Sequence, residues 1–439
     1  MNAVTKPFKF PMPRCDDAVA DIPPWATWFA SFDMDSGYWQ IAATQNAREK
    51  LAWYTPDDLV AFTRMPMGAL NSATTFVAMV LRLRKEWNDH ARESMRKNKW
   101  AGKMGAKAII DDILVYADSI ETMVWYLKSM FTILRHYQCT LKLKKAEWFK
   151  RSTEYVGKEI TAIGNQPARS KTANLEKLPI PADFTSLRGI MGFFGHYADH
   201  MPLLEIRFAP YRAILEQEAP PGTETAPEVA LRFAKLWTTE DTALFQELKT
   251  DFLERPILQR PNEKKPFYVK TDWSKYGMAG CLMQEAIETD PGEPSRKSQP
   301  PKTHRQRWFK IQNEWIKMAP IAYIARRTRK EEWKLHSATG EAKTGIWTFE
   351  SFRKYLLGAH FFWFTDCSGL TTFLEGDNEP DHILQRWHLQ LLRFHFTILH
   401  RAGRLLSDMD TLSRYNKITA LWRNPDFPHT PTPKVIIPR

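Results

Sequence analysis

The chain has 439 residues, with 62 Lys and Arg against 50 Asp and Glu, a formal net charge of +12 and 43% hydrophobic residues. That length accommodates roughly three domains of ordinary size, and the positive excess favours a polyanionic partner, because Lys and Arg gain by releasing counterions from a phosphate backbone. Cys15, Cys139, Cys281 and Cys367 are scattered without a Cys-x-x-Cys pair, which argues against a disulfide framework or a zinc knuckle; no apolar run reaches bilayer length and Met1 to Arg14 has no apolar signal segment, so an intracellular protein with no membrane segment is expected.

Residues 1–30 read as Pro-rich and mostly irregular, since Pro7, Pro11, Pro13, Pro23 and Pro24 oppose a regular helix. Trp28 to Asp35 is an apolar, strand-forming run that carries Asp33, followed by a helix-compatible turn from Gly37 to Gln40 that includes Tyr38. Tyr54 to Arg64 predicts a hairpin turning at Pro56-Asp57-Asp58, whose acids read as solvated. Asn71 to Arg84 predicts a helix, and the polar, basic run Lys85 to Lys107 is either solvated or brushes a phosphate backbone. Next comes Ile109-Ile110-Asp111-Asp112-Ile113-Leu114-Val115-Tyr116, two adjacent carboxylates inside an apolar run. At a tight turn between short strands both acids project at the tip, where like charges disfavour joint ionisation unless a cation lies between them. With Asp33 they make three carboxylates, a set that suits two hard cations such as Mg²⁺ or Mn²⁺ in in-line phosphoryl or nucleotidyl transfer; the plain alternative is a solvated acidic turn.

Ser119 is placed to cap a helix to Tyr137, with Met123, Leu127, Met130, Phe131 and Leu134 at helical spacing, and Leu141-Lys142-Leu143-Lys144 alternates like an exposed strand. Asp183 to Met201 predicts a helix whose Gly189, Gly192 and Gly195 suggest a face where a partner, either a nucleic-acid groove or a neighbouring helix, comes close to the backbone. Pro220 to Thr225 reads as a linker and Glu240 to Leu253 as a helix. Phe267 to Ser274 is then a strand delivering Asp272; Glu341 lies in a helix-compatible run, Asp366 ends the strand Phe361 to Thr365, and Asp410 stands in Met409 to Arg414. Residues 285–317 form an insertion rich in Pro and basic residues (Arg296, Lys297, Lys302, Arg305, Arg307, Lys310), expected to be a mobile loop that grips nucleic acid. His400, ten residues before Asp410, reads as a surface histidine, and 417–439 is a Pro-rich tail.

Taken together these stretches resemble the reverse transcriptase and ribonuclease H portion of a gypsy-type LTR retrotransposon Pol polyprotein. Ser31 to Ile41 looks like the family's first palm motif, Phe62 to Ala73 like its template- and nucleotide-positioning motif, and Asp111-Asp112 like its Tyr-x-Asp-Asp box with Ile109 in place of Tyr. Asp272, Glu341, Asp366 and Asp410, in that order, resemble the retroelement ribonuclease H set; Trp273 replaces an Ala after the first acid and Leu406 an Asn before the last.

The resemblance implies an α+β chain: a right-hand polymerase palm with thumb and connection, then an α/β ribonuclease H-like domain. The expected domains are 1–30 (residual fingers or linker), 31–160 (palm with partial fingers), 161–260 (thumb and connection), 261–416 (ribonuclease H-like) and the tail. It implies an RNA-directed DNA polymerase with ribonuclease H activity. Asp33, Asp111 and Asp112 would hold Mg²⁺ or Mn²⁺ for synthesis, and the second acidic set would hold it for hybrid cleavage. Tyr38, Met67 and Gly68 would meet the nucleotide, Tyr38 as the residue obstructing a 2′-hydroxyl unless it is a core aromatic. The implied partners are an RNA template, a DNA primer, RNA–DNA hybrid and deoxyribonucleotide triphosphates, in a cytoplasmic particle or the nucleus. Because the family's longer fingers region is not seen before residue 31, cleavage is expected to outlast synthesis. A nuclease without polymerase activity and a noncatalytic nucleic-acid-binding remnant are the alternatives.

Overall fold

The computed structural model describes residues 2–400 except 221, 222, 224, 255, 256, 276, 288–294, 298–307, 312, 313, 368, 369, 371–386 and 388. Asp410, Leu406 and the 417–439 tail lie outside the described residues. The chain divides into two units, Met1–Thr172 with Gln259–Asn262, and Ala173–Leu258 with Glu263–Arg439. Among the described residues no helix is long and apolar enough to cross a membrane.

The first unit is organised on an antiparallel sheet. Helix α1 (Cys15–Ala20) precedes strand β1 (Trp28–Asp33); helix α2 (Ser72–Lys97) is followed by β2 (Met104–Ile109), β3 (Asp112–Ala117), helix α3 (Ile120–His136) and β4 (Glu147–Lys150), and the strand order is β2-β3-β1-β4. Strand β3 is buried at Ile113 to Ala117 on both faces because both faces are covered. On one side α2 and α3 pack Phe76, Val80, Trp87, Met123, Tyr126 and Met130 against the sheet. On the other, Val19 and Ile22 pack with Phe29, Leu114 and Tyr116. A strand sandwiched in this way loses the in–out alternation and becomes a continuous apolar run.

Three expectations for this unit change. Residues 1–30 do contain a helix, α1, which fits between Pro13 and Pro23. Helix α2 does not stop near Arg84 but runs to Lys97, because Leu83, Trp87, Ala91 and Met95 carry the buried stripe through the charged stretch; the Trp87 indole donates to Tyr126 Oη at 2.8 Å. Leu141 to Lys144 is not a strand: Leu141 bridges Met34 and Leu143–Lys145 is a 3₁₀ turn. The capped helix after Ser119 forms as read, Ser119 Oγ accepting from Thr122 N–H at 3.1 Å, and the 54–64 hairpin is a two-residue ladder, Trp53–Tyr54 with Leu59–Val60, that leaves Asp57 and Asp58 exposed.

A small meander follows in the same unit: β5 (Ser152–Tyr155), β6 (Lys158–Thr161) and β7 (Gly164–Pro167). Arg260, only 3% exposed, returns to this unit and donates to the carbonyls of Ala26 (2.8 Å), Pro23 (3.3 Å) and Thr161. Burial pushes its guanidinium down to about 10, and three carbonyl acceptors offset the cost of keeping the charge inside.

The second unit begins with helices. Helix α4 (Phe184–Gly195) starts at a capping box in which Asp183 accepts from Ser186 N–H and Ser186 returns to the cap backbone; α5 (Ala226–Leu236) and α6 (Thr239–Leu253) follow, with Phe184, Phe194, Phe233, Phe245 and Phe252 in their shared core. A Cβ added at Gly189, Gly192 or Gly195 would meet nothing within 4 Å. The neighbouring-helix explanation of these glycines therefore fails among the described residues. From Phe267 the chain builds β8 (Phe267–Ser274), β9 (Gly277–Glu285), β10 (Arg296–Lys297), β11 (Trp308–Ile311), β12 (Glu314–Arg327), helix α7 (Ser337–Ser351), β13 (His360–Thr365) and β14 (His395–His400). The sheet order is β10-β12-β9-β8-β13-β14 with β11 also on β12, and β8-β13-β14 are parallel.

The described part of the 285–317 insertion is thus sheet, not loose loop: β10 and β11 both pair with a 14-residue β12. Arg296 is spoken for by Glu285 (2.8 Å) and Glu314 (3.2 Å), and Lys297 lies 4.9 Å over the Trp308 ring. Lys302, Arg305 and Arg307 lie outside the described residues.

Candidate active sites

In the first unit β1 and β3 are antiparallel neighbours with Asp33 opposite Asp112, and Asp111 occupies the turn between β2 and β3. The Asp111 carbonyl accepts from Met34 N–H at 3.1 Å, which ties the turn to the end of β1. A cavity of about 510 Å³ opens here, lined in part by Asp33, Asp112, Lys145, Glu147, Glu154 and Tyr155. The Asp112 carboxyl is pushed up to about 6, first by loss of water, then by the charges of Asp111 and Asp33, with Lys145 acting in the opposite sense. Since Asp112 as a residue remains exposed, the mutual repulsion of the acids is the firmer part of that shift. Lys145 Nζ lies 3.6 Å from Asp33 Oδ2, a protein cation against one of the three carboxylates.

The turn itself is strained. Ile110 has φ +54°, a left-handed conformation that β-branched residues avoid. Because Ile110 is 38% exposed and loses little packing, Ile110→Gly is expected to raise the unfolding free energy by roughly 1 kcal/mol, relief of strain exceeding glycine's entropic cost. Urea unfolding checks this, and equal or lower stability contradicts it. Ile109, in the place of the resembled family's Tyr, is buried among Leu114, Tyr116 and Tyr155 on the sheet face opposite α2 and α3.

Tyr38 is half-buried, its ring 5.1 Å from Phe76, and Gly37 must be glycine because a Cβ would stand 2.4 Å from that same ring. Met67 is 63% exposed, and Gly68 takes φ +83° with its carbonyl accepting from Asn2 Nδ2 at 3.0 Å. Lys145, Glu147 and Glu154 are not site residues that the sequence singles out; the stretch from Trp148-Phe149 on through Tyr155-Val156-Gly157 resembles the family's primer-side segment, and Tyr155, Val156 and Gly157 line the same cavity as Asp33 and Asp112.

The second cluster is tighter. Asp272 on β8, Glu341 on α7 and Asp366 just after β13 offer carboxylate oxygens that all lie within 4.8 Å of one another. Glu341 is 2% exposed; its Oε1 accepts from Trp273 N–H at 3.0 Å, while Oε2 is buried with no hydrogen-bond partner among the described residues. Burial, then Asp272 and Asp366, raise the Glu341 carboxyl well above its ordinary range, with the Trp273 N–H opposing. The Trp363 indole donates to Thr271 Oγ1 at 2.8 Å, holding β13 to β8 so that the strands release their acids side by side. His400 is exposed, as expected of a surface histidine, and a ring nitrogen lies 3.1 Å from the Asp366 carbonyl oxygen. A hard divalent cation fits this donor set, since it would supply the buried Oε2 with a partner and remove the three-way repulsion.

Comparisons with known proteins agree with this division. A family described as reverse transcriptase (RNA-dependent DNA polymerase) matches residues 1–160, and one described as an RNase H-like domain found in reverse transcriptase matches residues 262–394. The retrovirus-related Pol polyprotein from transposon 297 of Drosophila melanogaster is 24% identical over 414 residues, covering 94% of this chain and 33% of the relative. That from transposon gypsy of the same organism is 23% identical over 427 residues, covering 97% and 36%. The chain thus spans about a third of the length of these curated relatives. Among solved structures, a foamy viral protease-reverse transcriptase in complex with double-stranded DNA aligns over 91% of this chain and 61% of its own, with TM-score 0.69 and 16% identity; a second such complex gives 0.66 and 17% over 90% and 72%. The chain carries a reverse transcriptase domain followed by a ribonuclease H-like domain and is a homologue of the Pol polyproteins of gypsy-type transposons.

Proposed function

We propose that the chain is an RNA-directed DNA polymerase with ribonuclease H activity, working at two metal-dependent sites. The gathering of Asp272, Glu341 and Asp366 within 4.8 Å supports the nuclease part of this reading, because a cation there would relieve the repulsion of three converging carboxylates and give the buried Glu341 Oε2 a partner. Mg²⁺ or Mn²⁺ there would activate water against an RNA phosphodiester. Asp410, outside the described residues, is the fourth acid of the proposal. In the first unit Asp33, Asp111 and Asp112 would hold the cations that clamp the attacking 3′-hydroxyl and the leaving pyrophosphate. Tyr38, Met67 and Gly68 would border the nucleotide. The substrates are a primed RNA template with deoxyribonucleotide triphosphates, and RNA–DNA hybrid. Support comes from foamy viral neighbours whose structures hold double-stranded DNA and an RNA/DNA hybrid, together with a net charge of +12.

The test is to supply the purified chain with Mg²⁺ or Mn²⁺ and assay cleavage of a labelled hybrid beside extension of a primed RNA template. Both activities are expected, and both should vanish with a chelator. Cleavage without extension would favour a nuclease alone, and saturable hybrid binding with neither activity a noncatalytic remnant.

A further inference from the structure

We propose that Trp273 is a positioning residue for the second carboxylate cluster: its ring, seated on Gly340, and its backbone N–H together fix Glu341 so that one oxygen stays available to a divalent cation. The inference rests on reading that cluster as a metal site.

Two contacts of Trp273 fall on consecutive residues of α7. Its N–H donates to Glu341 Oε1 at 3.0 Å. Its indole covers the preceding residue so closely that a Cβ on Gly340 would stand 2.2 Å from Cδ2 and Cε2 and 2.8 Å from Cε3. No side chain fits there while the ring is present, and the rigid indole cannot yield as the end of a flexible chain would. The strand that supplies Asp272 and the helix that supplies Glu341 are therefore keyed together beside the acids they carry. The indole Nε1 is buried with no hydrogen-bond partner among the described residues. A polar atom kept dry costs stability, so the side chain is present for its shape and not for its N–H. The consequence appears at Glu341, where Oε1 is engaged, Oε2 has no partner and the residue is 2% exposed. The hydrogen bond from the strand holds Oε1 and leaves Oε2 as the oxygen that can face Asp272 and Asp366.

The experiment uses the full chain in an Asp33→Asn/Asp112→Asn background, which removes carboxylates of the first site, and measures Mn²⁺ binding by calorimetry beside thermal unfolding in chelator. Removing a group that orients a metal ligand typically weakens metal affinity 10–100-fold, and that is the loss expected for Trp273→Ala. Trp273→Phe keeps a flat ring on Gly340 and discards the unpaired N–H, so it should bind Mn²⁺ within about threefold of the parent, in line with the modest effect of shape-conserving swaps. Gly340→Ala should lower the melting temperature sharply, and Trp273→Ala/Gly340→Ala should recover most of that loss by removing the collision. Trp273→Ala with parental Mn²⁺ affinity, or Gly340→Ala equally harmful whether residue 273 is Trp or Ala, overturns the proposal. A parent that binds no Mn²⁺ at this site overturns the metal-site reading and the proposal with it. The melting cycle needs no metal, so it separates that failure from failure of the Trp273–Gly340 contact.

Discussion

Glu341→Gln is expected to abolish hybrid cleavage, by at least roughly the 100- to 1000-fold seen when a single electrostatic contact to a reacting group is removed, while primer extension continues at the parental rate. The substitution is nearly isosteric. It keeps an oxygen to accept from Trp273 N–H, and it replaces the carboxylate whose Oε2 is buried without a partner beside Asp272 and Asp366. What it removes is charge, and charge has opposite effects in the two states of the site. Without metal, Glu341 has its carboxyl raised by burial and by its two acidic neighbours. A carboxyl raised in this way stabilises the fold only while protonated, and that stability is lost as pH rises from the unfolded value through the folded one. At neutral pH a neutral amide should therefore make the metal-free protein more stable, not less. With Mn²⁺ present, in an Asp33→Asn/Asp112→Asn background that removes carboxylates of the first site, the order reverses, because the parent gains stability by mass action on binding at the second site and the variant does not. A higher melting temperature in chelator together with loss of the Mn²⁺-induced rise is a signature that a merely damaging mutation cannot produce. Cleavage within tenfold of the parent, or an undiminished Mn²⁺ shift, would show that Glu341 is not a ligand.

How much of this was legible before the structure follows from where the chain spends unusual chemistry. Acids at the ends of apolar strands are conspicuous, so Asp33, Asp112, Asp272 and Asp366 stand out as candidates, but any one alone reads more readily as a surface acid, and it is the resemblance that joins them into sets. The cap at Ser119 and the stripe from Met123 to Leu134 were readable from residue type and helical spacing. Interactions between residues distant in sequence were not. Helix α2 runs past Arg84 on Trp87, Ala91 and Met95, and a lone apolar residue every fourth position inside a charged run looks like a solvated segment. Arg296 looks like a free cation until Glu285 and Glu314 are placed beside it by strand pairing. Leu141 to Lys144 has the alternation of a strand but no neighbour to form a ladder beyond one bridge. The Trp at 273, where the resembled family has Ala, meets its complement at Gly340, which sequence order does not connect to it.

Asp112→Asn is expected to reduce primer extension by roughly 100- to 1000-fold or more without affecting hybrid cleavage, and to erase a pH break in metal binding at the first site. Asp112 faces Asp33 across the β1–β3 ladder and follows Asp111 in the turn, so the three acids repel one another in the metal-free protein. Their repulsion, added to the loss of water, places the Asp112 titration near pH 6 instead of its ordinary 3.8. The sign of the linkage is set by that direction. Below the unfolded value the acid is protonated in both states; as pH rises towards about 6 the metal-free fold loses the advantage of its bound proton. A cation reverses this by binding the ionised form and expelling the proton. Affinity for Mn²⁺ measured in an Asp272→Asn background should accordingly be flat above pH 6.5 and fall below it, by up to about tenfold per pH unit if one proton is displaced. Lys145, 3.6 Å from Asp33, competes for the same negative charge, so Lys145→Met should tighten metal binding while shifting the break upward. Extension by Asp112→Asn within tenfold of the parent, or a Mn²⁺ affinity that does not change between pH 5 and 8, would remove Asp112 from the metal site.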